Sequence, residues 1–236
     1  MPDRSVDPVL RMHAVRKQYG GLRPLRIDEL VVHAGDGISI SNLDAAAAEA
    51  FVNLVTAAAL PDEGTVEVFG RPTTAISNSS EWLTLLDRFG LVTDRIVLLD
   101  AFSVAQNLAV PFTLELDPLS DAVRLRAEQL ARETELHGVL SHSVANISPE
   151  LRARVRLARA LALDPDLLIL EHATASLPSA AVAAFAQLIV QIASARRCAV
   201  VALTADRQFV RSFGGQRLVL HLGTGVLHQF SRWSWR

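Results

Sequence analysis

The sequence of 236 residues holds one cysteine, Cys198, and one lysine, Lys17. A single cysteine excludes an intrachain disulfide and fits a reducing compartment. With one lysine, every other basic residue is arginine, so chemistry that needs a lysine ammonium has one place to come from. There is no basic excess: 23 basic against 25 acidic residues give a formal charge of −2. That excludes the electrostatic footprint of a nucleic-acid binder. Long apolar runs are also missing. The longest, residues 180–195, is alanine-rich, is interrupted by Gln187 and Gln191, and falls short of the ~20 residues of a membrane span. It reads as a buried helix, so the chain is expected to be soluble and to touch a membrane only through a partner. The first ten residues carry charges and two prolines without an apolar core, which is not the pattern of a signal peptide. The histidines are scattered without metal-ligand spacing, and no nucleophile–base pattern stands out.

What is present is core-forming residue: half of the chain is hydrophobic, enough to bury the interior of one large α/β domain. Loose alternation predicts strands over residues 9–15 and 25–33, and a short strand over 37–41. Helical spacing follows over 45–60, with Phe51, Leu54, Val55 and Ala58 on one face. After the turn signal Pro61-Asp62-Glu63-Gly64, residues 65–69 alternate as a strand. The middle is more helical: 82–89, a start at 103–108, and 120–135, with apolar pieces at 91–92 and 96–99. Ser148-Pro149-Glu150 combines an N-cap serine, a first-turn proline and an early acid, opening a helix to about residue 163. Residues 167–170 and 198–203 are fully apolar, the mark of strands covered on both faces. Helices are expected at 179–195 and 206–212, and closing strands at 217–221 and 226–230. The later helix–strand alternation implies a parallel sheet with helices on its faces. The shorter, more polar early strands fit a small antiparallel layer beside it.

Several stretches together resemble the ATP-binding subunits of ABC transporters. Residues 15–21 read VRKQYGG, where that family carries an aromatic that stacks on adenine. Residues 61–70 read PDEGTVEVFG, similar to its segment after the phosphate-loop helix, and 103–111 read SVAQNLAVP, similar to "TVxENVxxP". Residues 152–170 read RARVRLARALALDPDLLIL, close to the run from the signature helix into the Walker B strand. Residues 174–177 fall at a "TSAL" turn. The resemblance implies an α/β, P-loop NTPase-like fold: a mostly parallel sheet flanked by helices, a small antiparallel β layer and a helical subdomain. One domain is expected over residues 9–230, with the helical subdomain at about 97–160 and an aromatic, basic tail at 231–236.

At the motifs themselves the resemblance fails. Counting back from Pro61–Gly64 sets the family's GxxGxGK[ST][ST] on residues 42–50. The glycine positions hold Asn42, Ala45 and Ala47, the lysine position Ala48, and the hydroxyl positions Glu49 and Ala50. Such a loop works because glycines let backbone N–H groups wrap phosphates, lysine neutralises charge and a hydroxyl binds Mg²⁺. Asp44 and Glu49 instead bring negative charge, and a like-charge contact at ~4 Å costs about 1–4 kcal/mol depending on the local dielectric. Asp44 before four alanines is also an ordinary capped helix start; in a sharper form, its carboxylate takes the N–H groups that a phosphate would use. The glutamine expected after 90–93 is Asp94. The signature LSGGQ becomes Ile147-Ser148-Pro149-Glu150-Leu151, retaining Ser148. The Walker B acids become Glu171, still able to attract a cation, and His172, whose imidazole replaces the carboxylate that polarises water. As neighbours on a strand these two are expected to point to opposite faces. The switch histidine is Ala205, the turn aspartate Pro178, and Tyr19 is retained as a stacking or a packing aromatic.

By resemblance, the partners are a membrane permease subunit and a second ABC ATPase subunit. The cofactors would be ATP and Mg²⁺, which these substitutions argue against. Family members pair head to tail, each ATP lying between one phosphate loop and the partner's signature. A homodimer of this chain would have no intact site, so a heterodimer is favoured, on the cytoplasmic face of the cell membrane. The expected function is a degenerate, structural or regulatory subunit. The alternatives are a weakly active ATPase using a composite site and a scaffold outside transport.

Overall fold

The structure is a computed structural model that describes residues 7–93 and 95–230. Asp94 and the 231–236 tail lie outside the described residues. In chain order the elements are β1 (Leu10–Lys17), β2 (Leu25–Val32), β3 (Gly37–Ser41), α1 (Ala45–Val55), β4 (Glu63–Val68), β5 (Arg71–Pro72), α2 (Ser79–Leu86) and β6 (Phe89–Thr93). They continue with α3 (Val104–Ala109), α4 (Asp121–Glu133), α5 (Pro149–Ala160), β7 (Leu167–Glu171), α6 (Ser179–Arg196), β8 (Ala199–Leu203), α7 (Arg207–Phe213), β9 (Gln216–His221) and β10 (Val226–Gln229).

The strands form one sheet in the order β5-β4-β1-β2-β10-β9-β3-β8-β7-β6. The antiparallel strands, expected as a layer beside the parallel sheet, are instead hydrogen-bonded into it through β10, which pairs parallel with β2 and antiparallel with β9. The other half is parallel: β9, β3, β8, β7 and β6 run the same way. Sequence pattern separates the halves. Every residue of β7 and of β8 is buried, as expected for strands covered on both faces. In β1, Leu10, Met12 and Val15 are buried while Arg11 and His13 are exposed, the period of two of a half-covered strand. The β1–β4 register shifts between His13 and Arg16, where Ala14 takes φ +47°. Opposite this bulge, a Cβ on Gly64 would sit 2.2 Å from the Ala14 carbonyl oxygen, at φ +81°. Only glycine fits there.

The sheet packs a core on each face. One contains the buried side of α1, with Ala47, Phe51, Leu54 and Val55 against Met12, Ile27, Ile40 and Val201. The other joins the sheet to α3 through α7, with Leu108, Leu130, Val155, Phe185 and Phe209. The C-terminal ends of the parallel strands line up: Thr93 pairs with Glu171, Glu171 with Leu203, and Ile40 with Leu203. The N-terminus of α1 follows β3 at this edge, where open α/β sheets place their ligands.

Some boundaries differ from the sequence expectation for local reasons. Helix α1 ends at Val55, not near residue 60, because Thr56 turns its hydroxyl onto the Val52 carbonyl (2.8 Å) and Ala57 takes φ +57°. Helix α2 starts at Ser79, where the Asn78 side chain accepts from the Glu81 N–H at 2.9 Å. Residues 89–93 form one strand, whereas 96–99 form none. The latter segment is held by buried Asn107, which accepts from the Leu99 N–H (2.8 Å) and donates to the Leu99 carbonyl (3.0 Å). Helix α6 is long and apolar enough to cross a membrane by length and composition. Here Val182, Phe185, Ile189 and Ile192 pack into the core, and Arg196 near its end meets Glu133 at 2.6 Å.

Cys198, buried just before β8, has its thiol pushed up to about 12, chiefly by desolvation. The thiolate is the reactive form. The folded chain is therefore expected to resist alkylation at pH 8 and to react at once when denatured. Because the folded pKa is raised above the ordinary value of 9.0, this group's contribution to stability is full below that pH and is lost as pH rises toward 12. Thiol titration with and without denaturant checks both.

Candidate functional site

The loop between β3 and α1 is held by its own side chains. Asn42 takes φ +65°, a conformation asparagine tolerates better than most residues, and its amide reaches the Leu220 carbonyl at 3.5 Å. Asp44 is the N-cap of α1: its carboxylate accepts from the Ala47 N–H at 2.7 Å, and its carbonyl from the Ala48 N–H at 2.9 Å. Ala47 and Ala48 are buried in the core around α1 and Ala50 is also buried, while Ala45 and Glu49 face outward.

Glu49 does not remain an isolated charge. Its carboxylate lies 3.3 Å from Arg95, whose second terminal nitrogen lies 2.5 Å from Glu171 at the end of β7. The Glu171 side chain is 9% exposed, those of Arg95 and Glu49 about half exposed (52% and 54%). A carboxylate so far out of water requires a countercharge, and Arg95 supplies it. In return Glu171, first by its hydrogen bond and then by its charge, raises the guanidinium above its ordinary range, with Glu49 adding to the shift. The cation thus ties α1 to β7 across the edge where the strands end.

His172 departs from the expectation that it would continue the strand beside Glu171. Strand β7 stops at Glu171, and His172 takes φ +48°, its N–H donating to the Leu203 carbonyl at 2.9 Å. Alternation therefore does not set its direction. Among the described residues no group of three His, Cys, Asp or Glu is placed to hold a metal ion.

Tyr19 is half-buried, packed against the core around α1, with its ring over Gly21, where a Cβ would meet it at 2.6 Å. Its hydroxyl is raised in pKa by burial first and by the charge of Asp44 second, which puts the aromatic beside the helix cap. Lys17 is committed elsewhere, to Asp62 at 2.8 Å. Asp62 is held below the usual carboxylate range by the Gln18 N–H and by Lys17. Ser148 caps α5, accepting from the Leu151 N–H at 3.3 Å. Glu150 pairs with Arg154 at 2.8 Å, and Arg154 also meets Glu135. Ala205 is exposed. Beside it Asp206 caps α7 through the Gln208 and Phe209 N–H groups (2.8 and 3.1 Å) and accepts from the Thr174 hydroxyl at 3.0 Å.

Tyr19, Asp44, Glu49 and Glu171 thus gather around the start of α1 and the end of β7, whereas Ser148 and Glu150 make their bonds within the helical layer. Arg95 was not singled out by sequence reading. The sequence carries a signal for it: Glu49 and Glu171 fall at two motif positions of one family site, and an arginine stands two residues after β6.

This architecture, a curled α/β sheet around one helix with a strand–loop–helix at its C-terminal edge, is that of an ATP-binding cassette domain. The ABC transporter family profile matches residues 50–175, more than half of the chain, and the chain belongs to that family. It is 25% identical over 222 residues to the methionine import ATP-binding protein MetN of Brucella abortus, covering 94% of this chain and 60% of that protein. It is 27% identical over 234 residues to the lipoprotein-releasing system ATP-binding protein LolD of Xylella fastidiosa, covering 98% and 96%. The chain therefore spans about 60% of MetN's length but nearly all of LolD's. Among solved structures it superposes on cbiO1 from Clostridium perfringens with a TM-score of 0.79 at 19% identity, over 94% of this chain and 87% of that one.

Removing the shared cation should cost more than removing its exposed partner. Arg95→Ala strands a buried carboxylate and is expected to lower unfolding stability by about 1–3 kcal/mol. Glu49→Ala breaks an exposed pair and should cost less than about 1 kcal/mol. Urea denaturation of the two variants beside the parent checks the order.

Proposed function

We propose that this chain is a degenerate ATP-binding-cassette subunit of a membrane transporter, a structural or regulatory partner of an active ATPase and a permease. The observation that carries the reading is the Glu49–Arg95–Glu171 bridge. Each support for a bound polyphosphate is either absent or engaged. The Ala47 N–H is taken by Asp44, and the one lysine by Asp62. A carboxylate stands at the hydroxyl position, and a guanidinium sits between the carboxylates where a divalent cation would be sought. These residues do not fit ATP with its metal, and no hydrolytic step is assigned to them. The family match begins at residue 50, the last of the phosphate-loop positions 42–50, and so leaves the other eight outside it, which supports the same reading. So does Ser148, retained but bonded to its own helix.

What would be kept is the docking surface around residues 94–104. Its described part is pinned from beneath: Arg152 reaches Asp100 at 2.8 Å, and Arg159 donates to the Val97 carbonyl at 2.9 Å. Val97 itself is left 75% exposed. An apolar side chain presented on an anchored loop suits burial by a permease segment. A heterodimer with an active ATPase follows, since two copies of this chain would have no intact site, and it would sit on the cytoplasmic face of the membrane beside the permease.

Two substitutions test this in the complex purified with its permease and partner ATPase. Glu171→Gln should leave the hydrolysis rate unchanged. Val97→Glu should release the chain from the permease. Loss of hydrolysis in the first variant, with the partner ATPase untouched, would show a working site on this chain and overturn the proposal.

A further inference from the structure

A second feature lies on the other side of the β3–α1 loop. A cleft of about 510 Å³ opens between the end of β3, α7 and β9, and its lining includes Asn42, Arg207, Arg211, Arg217 and, on an apolar wall, Val210 and Phe230. Ligand pockets typically measure about 300–1,000 Å³. Three arginines therefore face one cleft, and none of them forms an ion pair among the described residues. Elsewhere in the chain Arg16, Arg71, Arg88, Arg95, Arg124, Arg152, Arg154 and Arg196 each meet a carboxylate. No carboxylate lines the cleft among the described residues. Asp206, next in sequence to Arg207, is already committed to the α7 cap and to Thr174. Arg217 is half-buried and fixed by its bond to the Val210 carbonyl at 3.4 Å. Arg207 and Arg211 project from consecutive turns of α7 and are exposed.

Like charges gathered without a counterion repel, and such a group attracts an anion to the space between them. Guanidinium forks match phosphate oxygens in pairs. The apolar wall, with Phe230 44% exposed, offers contact area to an organic moiety carrying the phosphate. We propose that this cleft binds a small phosphate-bearing metabolite, without a metal ion. The cleft borders the start of α1 through Asn42 and Ala205, which also line it, but its arginines come from α7 and β9, and the proposal stands independently of whether the chain hydrolyses ATP.

Calorimetric titration of the full chain with inorganic pyrophosphate in EDTA tests it. Saturable binding is expected, weakened about tenfold or more in the Arg207→Ala/Arg211→Ala variant and weakened again by raised salt. Both residues are exposed, so the variant should fold. Arg132→Ala, an exposed arginine on α4 outside the cleft, should bind like the parent. Titration with a sugar phosphate separates the sources: tighter binding than pyrophosphate assigns the cleft to a phosphorylated organic molecule, and weaker binding to inorganic phosphate chains. Absence of saturable binding, or equal affinity in the parent and the double arginine variant, would overturn the proposal.

Discussion

Glu171 closes the strand at the centre of the site with its carboxylate almost out of water, and a charge in that position must find a partner. Arg95 provides one at 2.5 Å and extends the same cation to Glu49 on α1. Two elements that approach each other at the sheet edge are thereby joined by a side chain rather than left to be bridged by a ligand. The remaining features of the site accord with that arrangement. Asp44 satisfies the first turn of α1, buried alanines let the helix settle into the core, and no lysine competes for the carboxylates because Lys17 is held at the opposite sheet half by Asp62.

The scaffold depends little on this chemistry. Its two cores are built from apolar residues spread through α1, the parallel strands and the helices of the second face. Burial on that scale dominates folding, while the bridge contributes a small fraction. The site is free to change without the fold changing, which is the sense in which fold and function are separable.

The fold was legible where sequence pattern has one physical cause. The wholly apolar runs of β7 and β8 could only be covered strands, and Ser148-Pro149-Glu150 marked the start of α5 to the residue. It was less legible where a side chain ends an element: Thr56 stops α1 by bonding back to Val52, and Asn107 holds 96–99 as a loop. The merging of antiparallel and parallel strands into one sheet rests on a long-range pairing through β10 that no local window contains. At the site, each altered motif position could be read by counting, but each reading took one residue at a time. The meaning of Glu49 and Glu171 lay in a third residue, Arg95, which belongs to no motif and is brought in by the turn after β6. The strand's end before His172 is hidden for a related reason: alternation carries no sign of the left-handed turn the backbone makes there.

The central claim is that a side-chain cation stands where a metal–nucleotide complex would need to be. The most direct measurement is an equilibrium titration of the isolated chain with ATP, run with Mg²⁺ and again in EDTA. The Glu49–Arg95–Glu171 bridge predicts that Mg²⁺ adds nothing: any binding is the same in both buffers. Saturable micromolar binding that requires Mg²⁺ would contradict it.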